Sequence, residues 1–268
     1  MKLKKFITNV LIVILSLTVF VGCSNNKSDE NTIRIGVSPR PHKELIEFIK
    51  EDLEAEGIKL EIIEFTDYIK PNLALADNEL DANFFQHEPY MNNFREEKNI
   101  DIVSIGGVHI EPMGLYSSKL KNIEDLEDGS EIAIPNDTTN EFRALLLFEK
   151  YGLIELDPDA GILATKNDII HNPKNLKFRE LEASTLPRIL DDVDGAIING
   201  NYALEAGLIP TEDSLILEEK DSPYANIVAI RKGEENQKRF IELMKALQSD
   251  KVRKFIEEEY NGGVIPAF

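Results

Sequence analysis

The chain of 268 residues holds one cysteine, Cys23, far fewer cations than anions, and no apolar run long enough to cross a bilayer. A single thiol cannot close an internal disulfide, so no disulfide framework supports this fold. Lys and Arg number 30 against 49 Asp and Glu, a formal charge of −19. Such a deficit of cations argues against nucleic acid as a partner, because phosphate contacts need clustered Lys and Arg. The apolar segment from Phe6 to Phe20 is interrupted by Thr8, Asn9, Ser16 and Thr18, and falls short of the roughly 20 residues of a comfortable span. A nucleophile elbow, a phosphate-cradling loop, zinc-protease spacing and a dinucleotide fingerprint are also missing, so the sequence points to no enzyme and to no cofactor. Carboxylate runs such as Asp191-Asp192 arise by chance in so acidic a chain and read as solvated surface. There is no internal repeat and no low-complexity segment.

What is present begins with Met1-Lys2-Leu3-Lys4-Lys5, the apolar stretch, and Val21-Gly22-Cys23 before an abrupt turn to polar residues. This is the pattern of a secretory leader over residues 1–22. Cys23, after a small residue, resembles the cysteine of a bacterial lipobox and is expected to be lipidated; Phe20 stands where that motif usually carries leucine. An ordinary leader or a buried thiol is the alternative. One acyl chain binds a membrane only marginally, so a diacylglyceryl cysteine is the sufficient anchor. Residues 23–31 read as a solvated tether.

Beyond the tether, β-branched runs alternate with amphipathic stretches, predicting an α/β fold. Strands are expected at 33–37, 60–65, 82–86, 131–134, 176–181, 195–199, 215–219 and 225–231, and helices at 45–53, 71–80, 89–98, 138–151 and 185–190. Residues 102–116 form a long β-rich stretch broken by Gly106-Gly107 and Pro112. Alternation restarts after Asp125, which suggests two lobes: 32–113 with 222–268, and 114–221, joined by two crossing segments. The last forty residues hold two amphipathic helices that complete the first lobe. Open α/β sheets bind ligands at the carboxyl ends of their strands, which places a cleft between the lobes.

Three groups of residues could serve that cleft. Asn136, Asn140 and Arg143 are spaced to share one helix face, where an arginine fork and a helix N-terminus could grip a carboxylate; a solvated arginine on an ordinary helix fits the same spacing. Phe85 and His87 on one side of a strand, with Tyr90 beyond its end and Tyr68 in a preceding turn, could wall a slot for an apolar, polarisable side chain. Each of these aromatics could instead be core. Asn199 and Asn226 lie in strand-end loops, and an amide offers both donor and acceptor to a zwitterion. The histidines His42, His87, His109 and His171 lack paired metal-ligand spacing, so no metal site is expected. His109 reads as a structural residue of a crossing segment.

Longer stretches carry a resemblance. Tyr68 with Pro71-Asn72-Leu73-Ala74-Leu75-Ala76, Leu80-Asp81-Ala82-Asn83-Phe84-Phe85-Gln86-His87, Glu111-Pro112-Met113-Gly114-Leu115-Tyr116-Ser117, Ile134-Pro135-Asn136-Asp137, Ile198-Asn199-Gly200-Asn201-Tyr202-Ala203 and Ser222-Pro223-Tyr224-Ala225-Asn226 occur in order. Together they resemble the methionine-binding lipoproteins of ABC importers, the NlpA lipoprotein family. The resemblance implies a two-lobed periplasmic-binding-protein fold, lipid-anchored on the outer side of the cell membrane. It further implies a monomer that delivers methionine or a close derivative to a permease driven by a cytoplasmic ATPase. It makes Arg143 the carboxylate partner, Asn199 and Asn226 contacts to the amino-acid backbone groups, Asn140 a helper, and Tyr68, Phe85, His87 and Tyr90 the side-chain slot. Family members often have proline at Thr138 and glycine at Phe142, so the face beside Arg143 departs from the pattern. L-methionine, D-methionine and a methionine-containing dipeptide all remain open as ligands. A metal-binding import lipoprotein, another amino acid or peptide as ligand, and an extracytoplasmic enzyme or adhesin are the competing readings.

Overall fold

The computed structural model describes residues 31–268; the leader, Cys23 and the tether through residue 30 lie outside the described residues. The chain begins with β1 (Thr32–Val37), α1 (Glu44–Ala55), β2 (Lys59–Glu64), α2 (Lys70–Ala76), β3 (Ala82–His87), α3 (Glu88–Lys98) and β4 (Ile102–Ile110). Past 111–113 it continues with β5 (Gly114–Tyr116), β6 (Glu131–Pro135), α4 (Thr138–Lys150) and a small hairpin of β7 (Glu155–Leu156) and β8 (Ile169–His171). Then come β9 (Lys177–Leu181), β10 (Gly195–Ile198), α5 (Gly200–Glu205), α6 (Pro210–Asp213) and β11 (Ile216–Leu217). Residues 218–224 lead back to β12 (Ala225–Arg231), α7 (Lys238–Leu247), α8 (Asp250–Tyr260) and β13 (Ile265–Pro266).

These strands make two mixed sheets, one in the order β13-β4-β12-β3-β1-β2 and one in the order β11-β5-β10-β6-β9. In the first, β1 runs parallel to β2 and β3, while β12 lies antiparallel between β3 and β4. In the second, β6 runs parallel to β9 and β10, and β5 is antiparallel to β10. The chain therefore passes between sheets twice, through 111–113 and through 218–224. Among the described residues no helix is long and apolar enough to cross a membrane.

Each sheet has its own core because its helices bury one apolar stripe apiece. Leu45, Ile46 and Ile49 of α1 pack with Ile33, Ile35 and Phe84 of the first sheet, and Phe240, Leu243 and Leu247 of α7 join the same cluster. Val252 and Ile256 of α8 lie in this cluster too, and each fully buried side chain of this kind contributes about 1.5–3 kcal/mol. Leu145 and Phe148 of α4 pack with Leu115, Ile132 and Ile134 of the second.

The expected α/β alternation holds, with instructive differences. The β-rich stretch 102–116 is two strands of different sheets, separated at Pro112, whose missing N–H cannot continue a ladder. The helix expected at 71–80 ends at Ala76, where Asn78 turns left-handed and Glu79 N–H bonds Ala74 O. At 185–190 a tight helical turn over 183–189 replaces an α-helix, since Pro187 removes a donor from its middle. Asn199-Gly200-Asn201 starts the helix α5 rather than a simple turn, with extended Asn199 at its N-cap. Asn136 is exposed and precedes the helix, so it shares no face with Asn140 and Arg143.

Candidate ligand-binding site

One cavity with about 320 Å³ of empty space lies between the two sheets. Its lining includes eight of the nine residues grouped from the sequence, Tyr68, Phe85, His87, Tyr90, Asn140, Arg143, Asn199 and Asn226, and leaves out Asn136. It also includes Gln86, Glu111, Gly200 and Asn201, which were not singled out. The reason for Gln86 is local. The ladder between β3 and β12 slips between Ile227 and Val228, leaving Phe85 without a cross-strand partner. This bulge lets Phe85, Gln86 and His87 all reach the cavity, which strict alternation along a strand would forbid. Gln86 is held from behind by buried amides, accepting from Asn72 Nδ2 at 2.8 Å and donating to Asn83 Oδ1 at 3.0 Å.

One wall is aromatic. The Tyr68 ring lies 6.0 Å from Phe85 and 5.9 Å from Tyr90, and Phe85 meets Tyr90 edge-on at 6.2 Å. Burial pushes both phenols above their ordinary range, so they stay neutral. Tyr90 donates to Tyr68 O at 2.9 Å, and Tyr68 donates to Asn201 Oδ1 at 2.5 Å, joining the turn before α2 to α5.

His87 caps α3: its Nδ1 accepts from Tyr90 N–H at 3.2 Å. The proton is thereby assigned to Nε2, which donates to Asn140 Oδ1 at 3.1 Å. Burial, reinforced by the Arg143 charge, lowers the imidazole to about 3, so this donor is neutral. Asn140 is a node. Its Oδ1 also accepts from Asn199 Nδ2 at 2.9 Å, and its amide donates to Asp137, the N-cap of α4, at 2.9 and 3.0 Å. With those bonds made, Asn140 orients His87 and Asn199. Asn199 Oδ1 is left buried without a partner, an acceptor available to a ligand.

The arginine is held more tightly than spacing suggests. Arg143 Nε donates to Glu218 Oε1 at 3.0 Å, Nη2 pairs with Glu218 Oε2, and Nη2 also donates to Glu111 O at 2.9 Å. Its guanidinium stacks 4.4 Å over Tyr224. Burial opposes its charge, but Glu218 outweighs that and raises it above its ordinary value. The side-on edge of the fork is therefore taken by Glu218, and the bidentate grip expected for a ligand carboxylate reduces to the remaining Nη1 end.

Beside it lies Glu111, buried and raised by that burial, with His42 and Arg143 acting the other way. Its Oε1 accepts from His109 Nε2 at 2.6 Å and lies 3.3 Å from His42 Nε2, which is also 3.1 Å from Asn226 Oδ1. Burial lowers His42 to about 4 and His109 to about 3, so both rings are neutral. The donor atoms of His42, His109 and Glu111 lie within 4.8 Å of one another, as metal ligands could. However, the carboxylate already accepts from His109, His42 Nε2 is engaged with Asn226 Oδ1, and neither Nδ1 has a partner, whereas a ligating imidazole donates its other N–H. The trio is a hydrogen-bonded cluster that orients Glu111 and Asn226. Gly200 explains itself here: a Cβ would lie 2.6 Å from Glu111 Cβ.

A family model described as NlpA lipoprotein matches residues 33–268. The chain belongs to the NlpA lipoprotein family. Within it, the D-methionine-binding lipoprotein MetQ of Salmonella typhimurium is 42% identical over 250 residues, covering 91% of each chain. The membrane lipoprotein TpN32 of Treponema pallidum is 42% identical over 255 residues, covering 95% of each. A nutrient-binding protein from Burkholderia cenocepacia, solved bound to methionine, superposes with a TM-score of 0.85 at 44% identity, covering 88% of this chain and all of that one. The NlpA fold is thus that of substrate-binding proteins, in keeping with the two-sheet architecture.

Proposed function

We propose that this chain is the extracytoplasmic substrate-binding lipoprotein of an ABC importer that captures methionine and hands it to a permease driven by a cytoplasmic ATPase. It acts as a monomer without catalysis, anchored through lipid on Cys23, with residues 32–113 and 222–268 as one lobe and 114–221 as the other. The observation that carries the reading is a single cavity with an aromatic wall at one side and Arg143, Asn199 and Glu111 at the other. A thioether gains from aromatic edges. A zwitterion finds the Arg143 Nη1 end for its carboxylate, and Asn199 Oδ1 with the Glu111 carboxylate for its ammonium, so neither charge is buried unpaired.

Capture follows from closure. His87 with Asn140, Tyr68 with Asn201, and Tyr202 Oη with Thr66 O at 3.2 Å bond elements of the first sheet to those of the second. A ligand touching both sides favours this closed arrangement because only there are all its contacts made.

The test is to purify the protein from Ser24 onward, denature it, identify released small molecules by mass spectrometry, and titrate L-methionine, D-methionine and glycyl-methionine into the emptied, refolded protein by calorimetry. Tight binding of a free methionine enantiomer supports the reading. If none of the three binds while another amino acid or a metal does, the ligand assignment fails.

A further inference from the structure

We infer that Glu218 is a specificity-determining residue: by neutralising Arg143 from behind, it sets how strongly the site demands a carboxylate on its ligand. The inference rests on the methionine reading above and deepens it.

Glu218 follows β11 on the segment that returns to the first sheet, and it does two things at once. It occupies the Nε and Nη2 edge of Arg143, and its Oε2 accepts from Met113 N–H at 3.2 Å on the other crossing segment. Its side chain is largely buried, as is that of Arg143, so water screens the pair little and the two charges largely cancel. A ligand carboxylate at Nη1 meets a cation already matched by a fixed anion beyond it. The attraction it feels is that of a dipole, weaker than that of a free guanidinium. Discrimination between an amino acid and its amide, which has a neutral carboxamide in place of the carboxylate, is accordingly modest in the native site. The remaining affinity comes from the aromatic wall and from the acceptors for the ammonium, which both ligands share.

Calorimetric titration of L-methionine and L-methioninamide into wild type, Glu218→Gln and Glu218→Asp tests this. In Glu218→Gln the ratio of amide to acid dissociation constants should rise by about tenfold or more, the scale of one added charge interaction in a partly buried site. Glu218→Asp keeps the charge and should hold the ratio within about threefold of wild type, even if both affinities drop. A merely structural Glu218 would weaken both ligands by one factor and leave the ratio unchanged, which overturns the inference. Should Glu218→Gln not fold, Glu218→Met removes the same charge with an apolar side chain and is read by the same ratio. If wild type binds neither ligand, the methionine reading itself falls and takes this inference with it; if wild type binds and the ratio alone stays fixed, only the role of Glu218 falls.

Discussion

Removing Arg143 should damage two properties that a second substitution can separate. In Arg143→Ala the Glu218 carboxylate, 16% exposed, loses its bidentate partner, Glu111 O loses a donor, and Tyr224 loses the group stacked on its ring. Stripping one member from a buried ion pair costs about 3–5 kcal/mol. For a domain of this size, at about 2–4 °C per kcal/mol, the melting temperature should drop by roughly 6–20 °C. Methionine affinity should weaken as well, by roughly 30-fold to several thousandfold, the 2–5 kcal/mol typical of losing a buried charged contact. In Arg143→Met combined with Glu218→Leu, no charge is left stranded, and the melting temperature should return to within a few degrees of wild type while binding stays lost. Scanning calorimetry reads the first property and titration the second. A single variant that melts within about 2 °C of wild type, or a double variant that regains methionine binding, would refute the reasoning.

Gly200→Ala drives a methyl to 2.6 Å from Glu111 Cβ; it should cost about 1–3 kcal/mol and weaken methionine binding, and a neutral outcome in thermal melts and titration would show that α5 can shift freely. Asn140→Leu strands the His87 Nε2 and Asn199 Nδ2 donors, so affinity should fall tenfold or more at about 1–3 kcal/mol per orphaned group; unchanged titration curves would remove Asn140 from its place as the organiser. Acid should destabilise the fold through His42, His87 and His109, held by burial at about 4, 3 and 3 against an ordinary 6.5. The unfolded chain takes up those protons near 6.5 and the folded chain only near 3–4, so this stability is full above about 6.5 and drains as pH falls from there through the folded values. Glu111 and Asp137, raised by burial, act in the opposite sense. The urea midpoint should therefore be lower at pH 4.5 than at pH 7, and a higher one would contradict the neutral assignment of the three rings.

Much of this architecture is readable in the sequence because it depends on local patterns. The repeat of Leu45, Ile49 and Leu53 in α1 and the strand residues Ile33, Ile35 and Val37 each announce an element through spacing alone. Arg143 and the aromatic residues could be named as candidates because their chemistry suits a charged ligand with an apolar, polarisable side chain, and the family resemblance is what chose them over a solvated or core reading. What stayed hidden depends on tertiary partners. The bulge at Phe85 is decided by the register of β12, more than a hundred residues downstream, so Gln86 could not be placed in the cavity from alternation. Glu111 looked like one acid among many until His42 and His109 met it. Glu218 lay in an acidic run, Glu218-Glu219-Lys220-Asp221, with no local sign that only its first member would reach an arginine 75 positions earlier.

The place of β12 also has a consequence for how the molecule is made. This strand lies between β3 and β4 and pairs with both along most of its length. The first hundred or so residues to leave a ribosome or a translocation pore thus include two strands whose mutual gap nothing yet fills. The sheet cannot knit until the chain has threaded through its entire second half and come back, a long-range closure of the kind that slows folding. Whatever α1, α2 and α3 do earlier, the first sheet stays incomplete until the stretch from Ala225 onward has arrived.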